Sequence, residues 1–266
     1  MKRMIVAALM ALFVLTPAGW AGGYYYSAPI TLWHSQLGET QVGSYANIHK
    51  VAVLSCLGSQ FTLWHWNFWK PRTENLDISA WKIDGEIEET FHNYLGSRFE
   101  FVPMSFDPTA VMSASDWLMR QSSTIDALKK LNNPGVDAYI LVRPDKTFAV
   151  TQGLSLTYNP RETYNSLSVD FEIDVIDAHT LTYISHTIGR VATPQGVTEP
   201  DFEITNDFWR GFDEGPLSEE RIEALHGFVR KIMTQAMLET IRSLQFDVPL
   251  PASDPYFVPI MPPYAR

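Results

Sequence analysis

The segment from Ser168 to Asp177 alternates without interruption. Val169, Phe171, Ile173 and Val175 fall on one side, and Ser168, Asp170, Glu172 and Asp174 on the other. Side chains along a strand point to opposite faces with a period of two, so this run specifies a strand with one apolar face. A chain that contains it must build a sheet and supply a layer to cover that face. The covering layer is legible too. Ile222, Leu225, Val229, Ile232, Ala236, Thr240 and Leu244 recur at helical spacing. Ser218 precedes them as a capping residue, and Glu219 and Glu220 follow in the electropositive first turn. Such a helix is about 39 Å long, enough to cross a sheet.

The remaining elements follow from local pattern. Val51-Ala52-Val53-Leu54 opens a continuous apolar run that stops at Gly58, as a central strand does. Ile83, Ile87, Phe91, Tyr94 and Leu95 predict an amphipathic helix over 84–97, and Arg98 to Val102 a strand stopped by Pro103. Ser123-Thr124-Ile125-Asp126 has capping-box form. The short helix behind it, faced by Ile125, Leu128 and Leu131, ends at Asn132-Asn133-Pro134-Gly135. Strands are then expected over Val136–Val142, Thr147–Tyr158, Ser168–Asp177 and Leu181–Val191, the last two joined by a turn at Asp177-Ala178-His179-Thr180. The order is β-α-β-α-β-β-β-α. Helical crossovers imply parallel pairing early, and short connections an antiparallel meander late. The expectation is a single α/β domain over 48–247, with a mixed parallel/antiparallel sheet and a long C-terminal helix. Residues 22–47 show no period and are expected to form an extended N-terminal arm. Residues 248–266, with six prolines, are expected to form an extended, polyproline-like tail.

The chain begins Met1-Lys2-Arg3 and continues uncharged from Met4 to Thr16. Pro17 and the small residues Gly19 and Ala21 follow, which is the order of a secretory signal cleaved after Ala21. The apolar run is too short for a membrane span of ~20 residues. Cys56 stands far from that site, so no lipid-modified cysteine is expected at the new N-terminus. The implied address is periplasmic. Removal of residues 1–21 leaves 18 basic side chains against 30 acidic ones, a net charge of −12. That balance argues against nucleic acid and against docking on anionic lipid. A lone cysteine forms no internal disulfide, and its apolar setting points to a buried thiol.

Three of these pieces resemble a loose group of bacterial envelope proteins. The group comprises the curli-secretion lipoprotein, the penicillin-binding-protein activator lipoproteins and the N-terminal domain of the Tol-system translocation protein. Val51-Ala52-Val53-Leu54 is similar to their opening strand. Gly135-Val136-Asp137-Ala138-Tyr139-Ile140-Leu141-Val142 is similar to their glycine–small–aspartate–apolar strand element. Val169 to Asp177, with Ala178-His179-Thr180 and the next strand, resembles their Ile-Asp-x-x-Thr hairpin, with Leu181 where those proteins usually place glycine. The resemblance implies a non-enzymatic envelope role: scaffolding, secretion or activation of a partner. It supplies no catalytic residues.

No dinucleotide loop, P-loop, His-Glu-x-x-His or Cys-x-x-Cys is present. Gly153-Leu154-Ser155-Leu156-Thr157 lacks the second glycine of a nucleophile elbow, and Ser155 reads as an outward-facing strand residue. Asp170, Glu172 and Asp174 stand ~7 Å apart on one strand face. They are weak candidates for a hard cation or an acid/base pair. The plainer expectation is a solvated face paired with bases such as Arg190 or Lys146, with no metal and no cofactor. Asp201-x-Glu203-x-Thr205-x-Asp207 lacks the glycine and the closing glutamate of a calcium loop.

Phe61-Thr62-Leu63-Trp64-His65-Trp66-Asn67-Phe68-Trp69 concentrates three tryptophans directly after the first strand. Two readings stand. One is a structural plug folded over the sheet edge; the other is a protein- or glycan-contact surface using Trp64, Trp66, Phe68 and Trp69. The function expected from sequence is a non-enzymatic accessory protein that binds envelope partners, with no nucleic acid, no membrane span, and self-association left open. A small-ligand or glycan-binding module is the alternative, and a hydrolase the third.

Overall fold

The computed structural model describes residues 30–35, 45–65, 72–108, 124–131, 135–145, 153–159, 164–192, 198–199, 202–203, 218–252 and 257–260. Among these, ten strands make one mixed sheet and two more a separate short pair. The chain is an α/β domain with a long C-terminal helix, as its pattern predicts.

The anchor of the sheet is the alternating strand, here β8 (Tyr164–Asp177), and it is longer than its clean period suggests. Two collinear strands share one of its edges. β6 (Ala138–Pro144) lies antiparallel beside Phe171–Asp177, and β7 (Gly153–Asn159) antiparallel beside Tyr164–Asp170. The next layer repeats the break. β2 (Lys50–Ser55) runs parallel to β6, and β3 (Gln60–His65) parallel to β7. Asp84 holds the break open. Its carboxylate accepts from Ser55 Oγ, Leu57 N and Gly58 N, at 2.6, 2.9 and 3.0 Å. A Cβ on Gly58 would meet Asp84 N at 2.9 Å, so only glycine fits this contact. β4 (Arg72–Asp77) closes a hairpin with β3, and β5, only Glu100–Phe101, pairs parallel with β2. The strand expected over Arg98–Val102 is thus reduced to two residues.

On its other edge β8 pairs with β9 (Tyr183–Ala192). The turn between them forms as read from sequence: Asp177 Oδ1 accepts from His179 N at 2.9 Å and Thr180 N at 2.7 Å. Leu181 has φ 56, a left-handed conformation that explains why a glycine suits this position.

Each flank contributes a strand to the sheet. The arm carries β1 (Ile30–Ser35), antiparallel to β9. The tail carries β12 (Phe257–Ile260), parallel to β1. β1 is paired on both sides, by β9 and β12, and β12 is the edge strand. Pro259 is tolerated there because an edge strand needs hydrogen bonds on one side only. A two-residue pair, β10 (Thr198–Glu199) and β11 (Phe202–Glu203), includes Glu203 of the acidic segment; Thr205 and Asp207 lie outside the described residues.

One sheet face is apolar and covered by α1 (Ile83–Leu95) and α3 (Glu219–Ser243). Phe171, Ile173, Ile87, Phe91, Val229 and Ile232 are fully buried in this core. Gly189 lets α3 approach, since a Cβ there would stand 2.4 Å from Phe171 Cζ and 2.5 Å from Thr240 Oγ1. The second face carries a smaller core built from Ala52, Leu54, Tyr139, Leu141 and Ile176. It is covered in part by α2, described over residues 124–129, through Ala127 and Leu128. No described helix is long and apolar enough to cross a membrane.

Candidate functional site

The second face of β8 overturns the solvated-face reading. Asp170, Glu172 and Asp174 are 1, 4 and 0 % exposed. The base that pairs with Glu172 and Asp174 is Arg143 of β6, which the sequence did not single out. Register places Arg143 directly opposite Glu172 and diagonal to Asp174. Its Nε pairs with Glu172 Oε1, and its Nη2 donates to Asp174 Oδ2 at 2.8 Å. Nη1 donates to Thr124 Oγ1, a fully buried hydroxyl of α2. Of the expected partners, Arg190 stands opposite Asp170 in register, and Lys146 lies outside the described residues.

The network continues into β9. His186 is opposite Asp174, and its Nδ1 lies 2.6 Å from Asp174 Oδ1. Asp174 therefore joins two bases, one through each oxygen. Burial disfavours charge on Arg143, but Asp174 and Glu172 outweigh it and hold the guanidinium above its usual range. His186 obeys the same balance. Burial pulls its pKa down, the hydrogen bond and charge of Asp174 push it up, and the outcome is above the ordinary value. Tyr183, beside them, is pushed up to about 12 by burial first and then by Asp174. His186 keeps 27 % of its side chain exposed, whereas Asp174 has none, so the network opens to solvent at the imidazole.

Two carboxylates already committed to Arg143 and His186 are poor candidates for a cation. Among the described residues no group of three or more His, Cys, Asp or Glu is arranged to hold a metal ion. Cys56 is 3 % exposed, and burial, then Asp84, push its thiol up to about 12. The reactive thiolate is scarce at neutral pH. Ser155 is also corrected: it sits in mid-strand β7 opposite Ser168 and is fully buried, not outward-facing.

Arg143 and His186 were missed from sequence for a physical reason. A single Arg ending an apolar strand reads as the point where the strand meets water. Strand alternation offered the one usable signal, since Tyr139, Leu141 and Arg143 share a parity. Which strand that face would meet depended on the pairing order.

The aromatic segment begins as a strand. Phe61 and Leu63 are fully buried in the main core, while Trp64, on the opposite face, is half-buried. Trp64 stands opposite Thr73 on β4 and Thr157 on β7. Its Nε1 is buried without a hydrogen-bond partner among the described residues. Outside it, β4 leaves Thr73, Asn75 and Asp77 exposed. Trp66, Phe68 and Trp69 lie outside the described residues.

No protein-family model matches the chain, and no curated protein is similar to it in sequence. Solved structures resemble it weakly. Protein XCC0632 from Xanthomonas campestris, of family DUF330, is 5 % identical with a TM-score of 0.40, over 82 % of this chain and 95 % of that one. The hypothetical protein CT253 from Chlamydia trachomatis is 11 % identical with a TM-score of 0.30, over 72 % of this chain and 99 % of that one.

Proposed function

We propose that this chain is an exported accessory protein that binds other cell-envelope proteins through the β3–β4 hairpin. The observation that carries this reading is Trp64. It projects from the face opposite the core, half-buried, on a strand whose other residues Phe61 and Leu63 already secure the fold. A large rigid side chain that the core does not consume is the residue type that anchors protein interfaces. The outer strand β4 adds exposed polar residues around it. The secretory order of residues 1–21 and the resemblance to envelope accessory proteins support the same address.

The test is crosslinked recovery from intact envelopes, with thermal stability measured alongside, on Trp64→Ala, Trp66→Ala and Trp69→Ala separately. A contact residue loses partner recovery, by ~2 kcal/mol or more in binding, at little cost in melting temperature. If all three variants melt earlier and none selectively loses recovery, the hairpin is a structural plug. Recovery of glycan in place of protein replaces the partner class. N-terminal sequencing of the mature chain should begin at Gly22, and recovery without detergent should suffice.

One observation favours a second reading, a hydrolase. A buried carboxylate orienting a half-open histidine through Nδ1 is the pairing that general bases use. A panel of chromogenic esters and glycosides tests it: turnover that disappears in His186→Gln establishes the reading, and no turnover on any member discards it.

A further inference from the structure

Among the described residues, three strands of the large sheet pair on one side only: β12, β5 and β4. Two of them are guarded in the ways that edges usually are. β5 is two residues long, and β12 carries Pro259. β4 is six residues long and contains neither proline nor lysine. Its ladder to β3 fixes which way each peptide group points. Ile78 N donates to Ser59 O at 3.4 Å, one step beyond the opposed pair Gln60 and Asp77. Bonded and non-bonded pairs alternate along an antiparallel ladder. The bonded pairs are therefore Leu76 with Phe61, Glu74 with Leu63 and Arg72 with His65. Thr73, Asn75 and Asp77 turn their N–H and C=O groups the other way, to the open side of β4.

All three residues are exposed, and among the described residues no strand takes up that side. We propose that the open edge of β4 receives an extended segment of a partner protein as an added strand, and that this segment alternates basic and apolar residues. The inference rests on the reading of the β3–β4 hairpin as a partner surface, and it specifies the occupant. In strand addition the main chain supplies affinity and alternate side chains supply specificity.

The two faces of β4 set that alternation. On the face shared with Trp64 the added strand passes Thr73, Asn75 and Asp77. Asp77 is the charge there. Ser79 Oγ and Ser79 N donate to its Oδ1 at 2.6 and 2.9 Å and hold its carboxyl below the usual range, so it stays anionic. A lysine or arginine on this side of the segment complements it. On the other face the segment passes Leu76, half-buried and packed against the main core, and an apolar residue extends that packing. A second copy of the chain fits less well. Each copy carries a net charge of −10, and β4 sets two acidic residues against one basic one.

The test is amide hydrogen exchange of the full chain by NMR, with two synthetic peptides of about ten residues. One alternates lysine with valine, the other glutamate with valine. Without peptide, the amides of Glu74 and Leu76 should be protected and those of Thr73, Asn75 and Asp77 should exchange freely. Saturating lysine–valine peptide should slow those three by about tenfold or more, and the glutamate–valine peptide should leave them unchanged. Asn75→Pro removes an outward N–H and spares the β3 ladder, so the peptide should no longer protect Thr73 and Asp77. Should Asn75→Pro fail to fold, Asp77→Asn decides: it keeps an acceptor for Ser79 and should weaken the lysine–valine peptide about twofold to fivefold. The proposal is overturned if the lysine–valine peptide protects none of the three amides, if both peptides protect them alike, or if the folded variant binds as wild type does. Partner recovery lost in Trp64→Ala without any peptide protection overturns strand addition and keeps the hairpin reading. Peptide protection with recovery unchanged in Trp64→Ala keeps the edge as the site and removes Trp64 as its anchor.

Discussion

Arg143 is where a single side chain carries the most weight. Its side chain is 7 % exposed and neutralises two carboxylates that are almost wholly out of water. Arg143→Met removes the guanidinium that Glu172 and Asp174 share in a buried setting and should cost about 3–5 kcal/mol in urea unfolding. The triple variant Arg143→Met, Glu172→Gln, Asp174→Asn should cost less than Arg143→Met alone, because it removes the charges together. Phe171→Ala, on the opposite face of β8, should cost about 3–5 kcal/mol through lost transfer energy and a cavity. At the acidic end Asp137 matters. Backbone donors, Lys50 N first and then His49 N, hold its carboxyl below the usual aspartate value. Its contribution is therefore present above the ordinary value of 3.8 and lost as pH falls through the lower, folded one. An Asp137→Asn chain should show a shallower acid limb in a stability–pH profile.

Among the elements, α3 and β9 show how closely the main layers pack. The backbone of Gly189 lies against Phe171 and Thr240, so a methyl group has no room. Gly189→Ala should destabilise by about 1–3 kcal/mol, read as an earlier melting temperature, since the core must shift to admit it. Sequence pattern located α1 and α3 to within a few residues and found the turn before β9, because each is specified by neighbours along the chain. It placed β8 correctly but cut it short. Residues 164–167 pair with β7 and earn strand geometry from that partner, not from their own alternation. The hairpin β3–β4 is a similar case: the tryptophans drew attention to the segment, but β4, Arg72-Thr73-Glu74-Asn75-Leu76-Asp77, has no strand-forming composition and is fixed by pairing with β3.

Across the whole molecule, both flanks are tied into one sheet edge, β1 against β9 and β12 against β1. Truncation before Phe257 removes β12. It should accelerate amide exchange along Ile30–Ser35 while leaving β8 protected, because β8 is paired on both sides elsewhere. By itself the sequence determined the α/β class, the two covering helices and the apolar face of β8, all encoded by periodicities of two and 3.6 residues. Only the tertiary structure decided what happens on the polar face. Asp170, Glu172 and Asp174 look the same in sequence whether that face meets water or protein. For Glu172 and Asp174 the environment was settled by β6 carrying Arg143 alongside, by β9 carrying His186, and by Thr124 of α2 meeting Arg143. A charge is buried or solvated according to what packs against it, and that partner comes from another part of the chain.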